Sequence, residues 1–144
     1  MPFPVDEKYI RQTENTLGVK FPASYRMKML SENGGEISTA NDDWQLFPFL
    51  DSSDSKRISR TCNDLIREGK KALELNDFPP NGTAIGSNGS GDYLVFVQKI
   101  IDQLSEEVFI WRHETGVLEK LHAGFLPLLL TKSCPLAKTL ETMD

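Results

Sequence analysis

The second half of this sequence is a succession of short strand-like segments joined by turns, and this order constrains the fold more than any other feature. Apolar runs rich in β-branched and aromatic residues occur at 83–86, 93–97, 108–111 and 117–118. Consecutive strands joined by short turns pair as an antiparallel meander, whereas a parallel sheet requires a crossover helix between strands. The sequence therefore predicts the α+β class, with a mostly antiparallel sheet and helices packed against it.

Two amphipathic helices are predicted before the sheet. Asp6 is a candidate N-cap for the first, and Gly18 supplies a left-handed C-terminal stop. The second begins at Pro22, because proline suits the first helical turn, and it ends at 33–35, Asn-Gly-Gly. Together they form a helical hairpin whose apolar stripes need a sheet to cover them.

Two short strands, a long helix and a closing helix complete the prediction. Strands are expected at 36–38 and 44–47, and the closing helix at 123–130. Several N-cap residues at 51–55 open the long helix, which is expected to run to Asn76. Its core-facing stripe consists of Ile58, Cys62, Leu65, Ile66, Ala72 and Leu73.

The length and apolar content favour one domain spanning 1–144. The chain has 144 residues, of which 39% are hydrophobic, enough for a single core. Sixteen Lys and Arg stand against 21 Asp and Glu, and the resulting net charge of −5 disfavours a protein that binds nucleic acid directly.

Sequence signals predict a cytoplasmic protein. The N-terminus lacks the basic and apolar regions of a secretory signal, and the longest apolar run, 125–130, is too short to span a membrane. Cys62 and Cys134 lie far apart and in no metal-like spacing, so both are expected to be reduced thiols. Neither a metal nor a cofactor is expected.

The glycine-rich segment 86–92 and the pair His113-Glu114 are the candidates for chemistry. Closely spaced glycines let backbone amides approach a phosphate, but these match neither the dinucleotide nor the Walker spacing, and a strand follows them. A turn between strands, with Asp92 bonding backbone amides, is the favoured interpretation. His113 and Glu114 could act as acid and base, yet a polar hairpin turn at 112–116 is favoured over catalysis.

Tryptophans and acidic clusters are the candidates for binding. Trp44 and Trp111 could anchor a partner, although burial in the core is the favoured interpretation for both. If a binding face exists, it is expected in turns at the edges of the sheet. The candidate partner-binding residues are Trp44, Asp42, Asp43, Asn88, Asp92, Trp111 and Glu114.

Several motifs, taken together and in this order, resemble the SUKH superfamily, the SMI and KNR homologues. The matching positions are Glu14, Leu17, Gly18, Phe21, Pro22, Tyr25, Arg26, 33–35, Trp44, Leu46, 79–80, 85–86, 89–94, 108–111, 113–116 and Phe125. They cover almost the whole chain. Many relatives carry Asp after the second tryptophan, whereas this chain has Arg112.

The resemblance implies a curved, mostly antiparallel sheet flanked by helices, and no catalytic residues. It also implies a non-enzymatic protein-binding module, an immunity protein that neutralises a polymorphic or contact-dependent toxin such as a nuclease. An acidic domain suits a basic toxin domain as its partner, because complementary charge speeds encounter.

Two alternative functions are compatible with the same residues. The first alternative is a regulator or scaffold of cell-wall or glucan synthesis that acts through protein partners. The second is a small ligand-binding or hydrolytic protein that uses the loop 86–92 with His113. The oligomeric state is not predicted.

Overall fold

A computed structural model describes residues 4–39 and 42–122. In these ranges the chain forms four helices and six strands. The helices are α1 (Glu7–Leu17), α2 (Ala23–Ser31), α3 (Ser55–Arg60) and α4 (Leu65–Leu73). The strands are β1 (Gly35–Ser38), β2 (Asp43–Leu46), β3 (Gly82–Ser87), β4 (Tyr93–Ile100), β5 (Gln103–Trp111) and β6 (Leu118–His122).

The six strands form one curved sheet in which each strand pairs with its neighbours in sequence. The spatial order is β1-β2-β3-β4-β5-β6, and every pair of adjacent strands is antiparallel. Helices α3 and α4 lie in sequence between β2 and β3. The predicted α+β class and antiparallel meander are therefore confirmed, and the closing helix predicted at 123–130 lies outside the described residues.

The predicted helical hairpin is confirmed, and a buried carboxylate joins its two helices. The Asp6 side chain caps α1 by accepting from the Lys8 amide, and Gly18 ends the helix at φ 75°. Oε2 of Glu14, a residue that is 8% exposed, accepts a hydrogen bond of 2.8 Å from the Phe21 amide. This bond fixes the turn between the helices, because it pairs a buried amide that neither helix satisfies.

The single long helix predicted after residue 55 is wrong, since the chain breaks into α3 and α4. Thr61 Oγ1 accepts from the Asp51 amide at 3.0 Å, and the Leu65 amide donates to the Pro48 carbonyl at 3.0 Å. In a continuous helix the Leu65 amide would instead donate to the carbonyl four residues earlier, so its bond to Pro48 marks the break, and the Thr61–Asp51 bond attaches the end of α3 to the preceding segment. Asp64 then caps α4, and Ile58, Cys62 and Leu73 are exposed instead of facing the core.

The variant Asp64→Ala tests the break between α3 and α4, because two short helices and one continuous helix predict opposite changes in the free energy of unfolding. Asp64 Oδ1 accepts from the Arg67 amide at 2.8 Å, so we expect the variant to lower the free energy of unfolding by about 1 kcal/mol. Inside a continuous helix, alanine would be the better helix former and the same change would stabilise the protein. Urea unfolding followed by circular dichroism distinguishes the two signs, and a stabilised variant would contradict the break.

Buried and partly buried aromatic side chains form two clusters. One consists of Phe21, Tyr25, Phe49 and Phe96, with ring centroids 5.1 to 6.4 Å apart. The other consists of Phe47, Phe78, Tyr93 and Trp111, with centroids 5.2 to 6.3 Å apart. In a β-strand, successive side chains point to opposite faces, so Tyr93 and Phe96 of β4 reach different clusters.

Asn33 secures the entry to the first aromatic cluster. Its side-chain amide donates to the Phe49 carbonyl at 2.9 Å, and its Oδ1 accepts from the Phe49 amide at 2.8 Å. Asn33 is 7% exposed and Phe49 is fully buried, so the side chain satisfies two backbone groups that water cannot reach. In the described ranges, no helix is long and apolar enough to cross a membrane.

Candidate functional site

Five strands bring polar side chains to one end of the sheet. Asp42 precedes β2, Asn88 follows β3, Asp92 precedes β4, Arg112 follows β5 and Glu119 lies near the start of β6. Because adjacent strands are antiparallel, the start of one strand lies beside the end of the next. We call these residues, together with His113, the Asp92 cluster.

Asp92 is the centre of this cluster and is 8% exposed. Its Oδ1 accepts from the His113 amide at 3.0 Å and lies 2.7 Å from Nδ1 of the same residue. Its Oδ2 accepts from the Asn88 side chain and from Arg112, each at 3.1 Å. Burial alone would raise the pKa of Asp92, but the hydrogen bonds from His113, Asn88 and Arg112 outweigh it and hold the pKa at about 2.

Arg112 connects three carboxylates from three different segments. Its guanidinium Nη1 lies 3.1 Å from Asp92 Oδ2 and 3.4 Å from Asp42 Oδ2, and its Nε lies 3.7 Å from Glu119 Oε2. Partial burial alone would lower the pKa of Arg112, but Asp92 and Asp42 outweigh it and raise the pKa. Arg112 therefore holds the ends of β2, β4, β5 and β6 together electrostatically.

The glycine-rich loop closes on itself as a turn. The side-chain oxygen of Asn88 accepts from the Ser90 amide at 2.9 Å and from the Asp92 amide at 3.3 Å. Gly89 has φ 81°, a conformation that glycine adopts without strain. The interpretation as a turn between strands is confirmed, because the segment connects β3 to β4 and its Ser90 and Asp92 amides are paired inside the loop.

His113 and Asp92 form a pair in which the carboxylate orients the imidazole. The ring also lies against Gly91, where a Cβ atom would come within 3.1 Å of the imidazole. The following residues make the predicted hairpin turn, in which the Gly116 amide donates to the Arg112 carbonyl at 2.7 Å. Among residues 4–39 and 42–122, no group of three or more His, Cys, Asp or Glu side chains is placed to hold a metal ion.

Both tryptophans that the sequence offered as partner-binding residues are core residues. Trp44 is 0% exposed and its indole nitrogen donates to Thr39 Oγ1 at 3.1 Å. Trp111 is 2% exposed and its indole nitrogen donates to the Asp77 carbonyl at 3.2 Å. Neither indole is accessible to a partner, so the prediction that the two tryptophans belong to a binding face is wrong. Burial in the core, the interpretation that the strand pattern favoured, is confirmed.

The five polar candidates lie at the same end of the sheet but differ in exposure. Asp42, Asn88 and Asp92 are held inside the Asp92 cluster. Asp43 and Glu114 are exposed, and Asp43 accepts only a bond of 2.8 Å from the Ser38 hydroxyl among the bonds that the described residues show. A role for these residues in binding stays a prediction.

Sequence reasoning missed the organising role of Arg112 and the participation of Glu119. Arg112 and Asp42 are 70 positions apart, and Arg112 and Asp92 are 20 apart, so no local spacing connects them. The only available signal was the arginine after the second tryptophan, which departs from the pattern that the family resemblance implies. In the structure that arginine neutralises neighbouring carboxylates.

A separate hollow of about 680 Å³ is lined by residues of β1, β2, α3 and the connection between α3 and α4. Arg57 lines it, and its guanidinium bonds Asp51 Oδ2 and the Pro4 carbonyl, each at 3.0 Å. Hydrogen bonds from Ser53 and Arg57 outweigh the effect of burial and lower the pKa of Asp51. These contacts fasten the N-terminal segment to α3.

The fold and the Asp92 cluster define a small α+β protein whose polar residues connect strand ends. A comparison with protein families gives a match to the SMI1 / KNR4 family (SUKH-1) over residues 4–129. The chain belongs to this family, and the resemblance inferred from the motifs is confirmed. A comparison with curated proteins finds no match.

Proposed function

We propose that this protein is a non-enzymatic, cytoplasmic protein-binding module, an immunity protein that binds and neutralises a basic toxin domain such as a nuclease. The observation that carries the proposal is membership of the SMI1 / KNR4 family, for which the motif resemblance implies such a role. The proposal needs no cofactor and no direct contact with nucleic acid or membrane.

The charge at the Asp92 end of the sheet supports a basic partner. Arg112 is balanced by Asp42, Asp92 and Glu119, while Asp43 and Glu114 add exposed negative charge beside them. An excess of one sign on a surface speeds the diffusional encounter with a partner of opposite sign. Cationic nuclease domains carry the complementary charge because they bind phosphates.

Co-expression with the toxin candidate encoded beside this chain tests the proposal. We expect a stable complex and protection of the producing cell. If the two proteins form no complex and the cell is not protected, immunity is excluded as the function.

The double variant Asp43→Asn/Glu114→Gln tests electrostatic steering. Both side chains are exposed, so the fold should be unaffected, while the association rate constant should fall roughly 3- to 10-fold at low ionic strength. The difference from wild type should vanish at high salt, because screening removes interactions between exposed charges. Stopped-flow association kinetics measure both effects.

A matched control removes two exposed carboxylates elsewhere. Glu74→Gln/Glu106→Gln changes the net charge equally, on the end of α4 and on β5. The control should slow association less than the Asp43/Glu114 variant. Equal effects of the two variants would mean that overall charge, and not this end of the sheet, governs encounter.

A further inference from the structure

Two adjacent isoleucines stand out at the turn between β4 and β5, at the opposite end of the sheet from the Asp92 cluster. Ile100 is 67% exposed and Ile101 is 82% exposed. The turn has two central residues, Ile101 and Asp102, because Ile100 pairs with Gln103 across the hairpin. Since β4 spans eight residues, the two ends lie about 25 Å apart.

The geometry of the turn does not require these isoleucines. Asp102 carries the left-handed conformation, with φ 66°, and an aspartate tolerates that region better than most residues. Ile101 has no such conformation, and hairpin tips favour polar residues and glycine. Two large apolar side chains that stay in water do not stabilise the fold, so folding does not explain why isoleucine occupies both positions.

The isoleucine pair is presented on a rigid support. The Lys20 amide donates to the Asp102 carbonyl at 2.9 Å, and the Leu104 amide donates to the Lys20 carbonyl at 3.0 Å. These bonds attach the tip of the hairpin to the connection between α1 and α2. A rigid apolar projection loses little conformational entropy on binding, which is the property of an interface anchor.

A shallow hollow of about 340 Å³ lies directly beside this projection. Lys20 and Asp102, which hold the turn, also line the hollow, together with Arg11, Asn15 and Val19 from the helical hairpin. A projection beside a hollow gives a surface that fits a partner with a cleft next to a protruding side chain. Such interlocking shapes are typical of specific protein interfaces.

The occupant that fits this surface best is a folded protein. Anionic membranes are recognised by clusters of Lys and Arg, whereas here exposed Asp102 and Glu106 offset Lys20, and ion pairs hold Lys99 with Glu107 and Arg11 with Glu7. Two isoleucines also carry fewer carbons than a myristoyl chain, which alone gives only marginal membrane binding. In a protein interface the burial of the same side chains adds to that of the surrounding contacts.

We propose that Ile100 and Ile101 form an apolar anchor that inserts into an apolar cleft of the protein partner. This inference rests on the proposed function and adds a second surface to it. Charge at the Asp92 end governs how fast the partner arrives, and the anchor governs how slowly it leaves. Charge variants and anchor variants should therefore act on different rate constants.

The double variant Ile100→Thr/Ile101→Thr tests the anchor. Threonine keeps the β-branched shape that suits a strand and removes most of the apolar area. With the neighbouring toxin candidate as the probe, we expect the dissociation rate constant to rise about 100-fold while the association rate constant stays within about 3-fold. Surface plasmon resonance measures both constants.

Met27→Lys is the control, because Met27 is an exposed apolar residue of α2 with 71% exposure. It should bind as wild type does, and thermal unfolding should show all variants folded. Unchanged dissociation of the Ile100/Ile101 variant overturns the anchor and leaves the proposed function standing. Failure of the wild-type protein to bind overturns both.

Two further measurements exclude other occupants. Co-sedimentation with phosphatidylserine/phosphatidylcholine vesicles should show no binding by wild type, and binding that the threonine variant loses would overturn the proposal in favour of lipid. Sedimentation velocity of the isolated protein should give the same mass for both forms. A wild-type dimer that becomes a monomer in the variant would instead assign the isoleucines to self-association.

Discussion

Replacing Trp44 by alanine is expected to lower the free energy of unfolding by about 3–5 kcal/mol. The indole is fully buried in the core, and it extends from β2, the strand between β1 and β3, where Ile37 of β1 is the cross-strand partner of Trp44. The variant loses the apolar burial, leaves a cavity, and removes the bond to Thr39 Oγ1. Because small domains have only about 5–15 kcal/mol of stability, such a loss is a large fraction of the total.

Urea unfolding at 25 °C measures this effect, with Trp44→Phe as the conservative comparison. Phenylalanine keeps most of the burial, so that variant should lose less than the alanine variant. A Trp44→Ala protein with wild-type stability and impaired partner binding would contradict the core assignment. It would restore Trp44 as an interface residue.

Removing the Asp92 carboxylate is expected to cost about 2–4 kcal/mol of unfolding free energy. In Asp92→Ala the partly buried contacts with His113 are lost, and among the described residues Arg112 keeps Asp42 and Glu119 as carboxylate partners. Asp92→Asn retains hydrogen-bonding capacity without charge and should be intermediate. Asp43→Ala is the control, because Asp43 is exposed and lies outside these contacts.

Acid titration gives a second measure of the same carboxylate. Folding lowers the pKa of Asp92 from its ordinary value of 3.8 to about 2, so the stabilisation that the carboxylate contributes is present above the higher value. That contribution, on the order of 2 kcal/mol, is lost as the pH falls from about 5 to 2. The stability difference between wild type and Asp92→Ala should therefore shrink over this range, and a constant difference would contradict the assignment.

The sequence predicted those elements whose causes lie within a few residues. Asp6 and Gly18 bound α1 through contacts two to four positions away, and Asn88 closes its turn through contacts of the same range. The alternation of β2 and the apolar runs of β3 and β4 follow from which faces are buried. Local signals of this kind survive in the folded protein because tertiary contacts support them.

The break between α3 and α4 could not be predicted because its causes are tertiary. The spacing of Ile58 and Cys62 looked like a core stripe, but Thr61 bonds Asp51 and Leu65 bonds Pro48. Those partners lie 10 to 17 positions earlier in the chain. The resulting turn moves Ile58 and Cys62 to the surface.

The sequence predicted where on the fold the candidate site lies, but not the contacts that hold its residues together. Turns at the sheet edge were expected to carry Asp42, Asn88 and Asp92, and the strand order does bring these residues together. The arginine that unites them was noted only as a departure from relatives. Its role depends on the register of β5 against β4, which no single segment encodes.

The residues that carry the family resemblance mostly stabilise the fold. Glu14 secures the helical hairpin, Asn33 secures Phe49, and Gly86 lets β3 approach β2, since a Cβ atom there would come within 2.8 Å of the Gln45 carbonyl oxygen. Family membership therefore supports the assignment of the fold and does not identify the residues that bind a partner. The partner must be sought in side chains that the architecture leaves free.

The turn between β4 and β5 carries side chains that the fold does not require. Its attachment to Lys20 uses backbone atoms alone, and its left-handed residue is Asp102. The side chains at 100 and 101 can therefore be exchanged while the hairpin and its support keep their shape. A lineage of such proteins could acquire a new target by substitution at these two positions, without an intermediate that fails to fold.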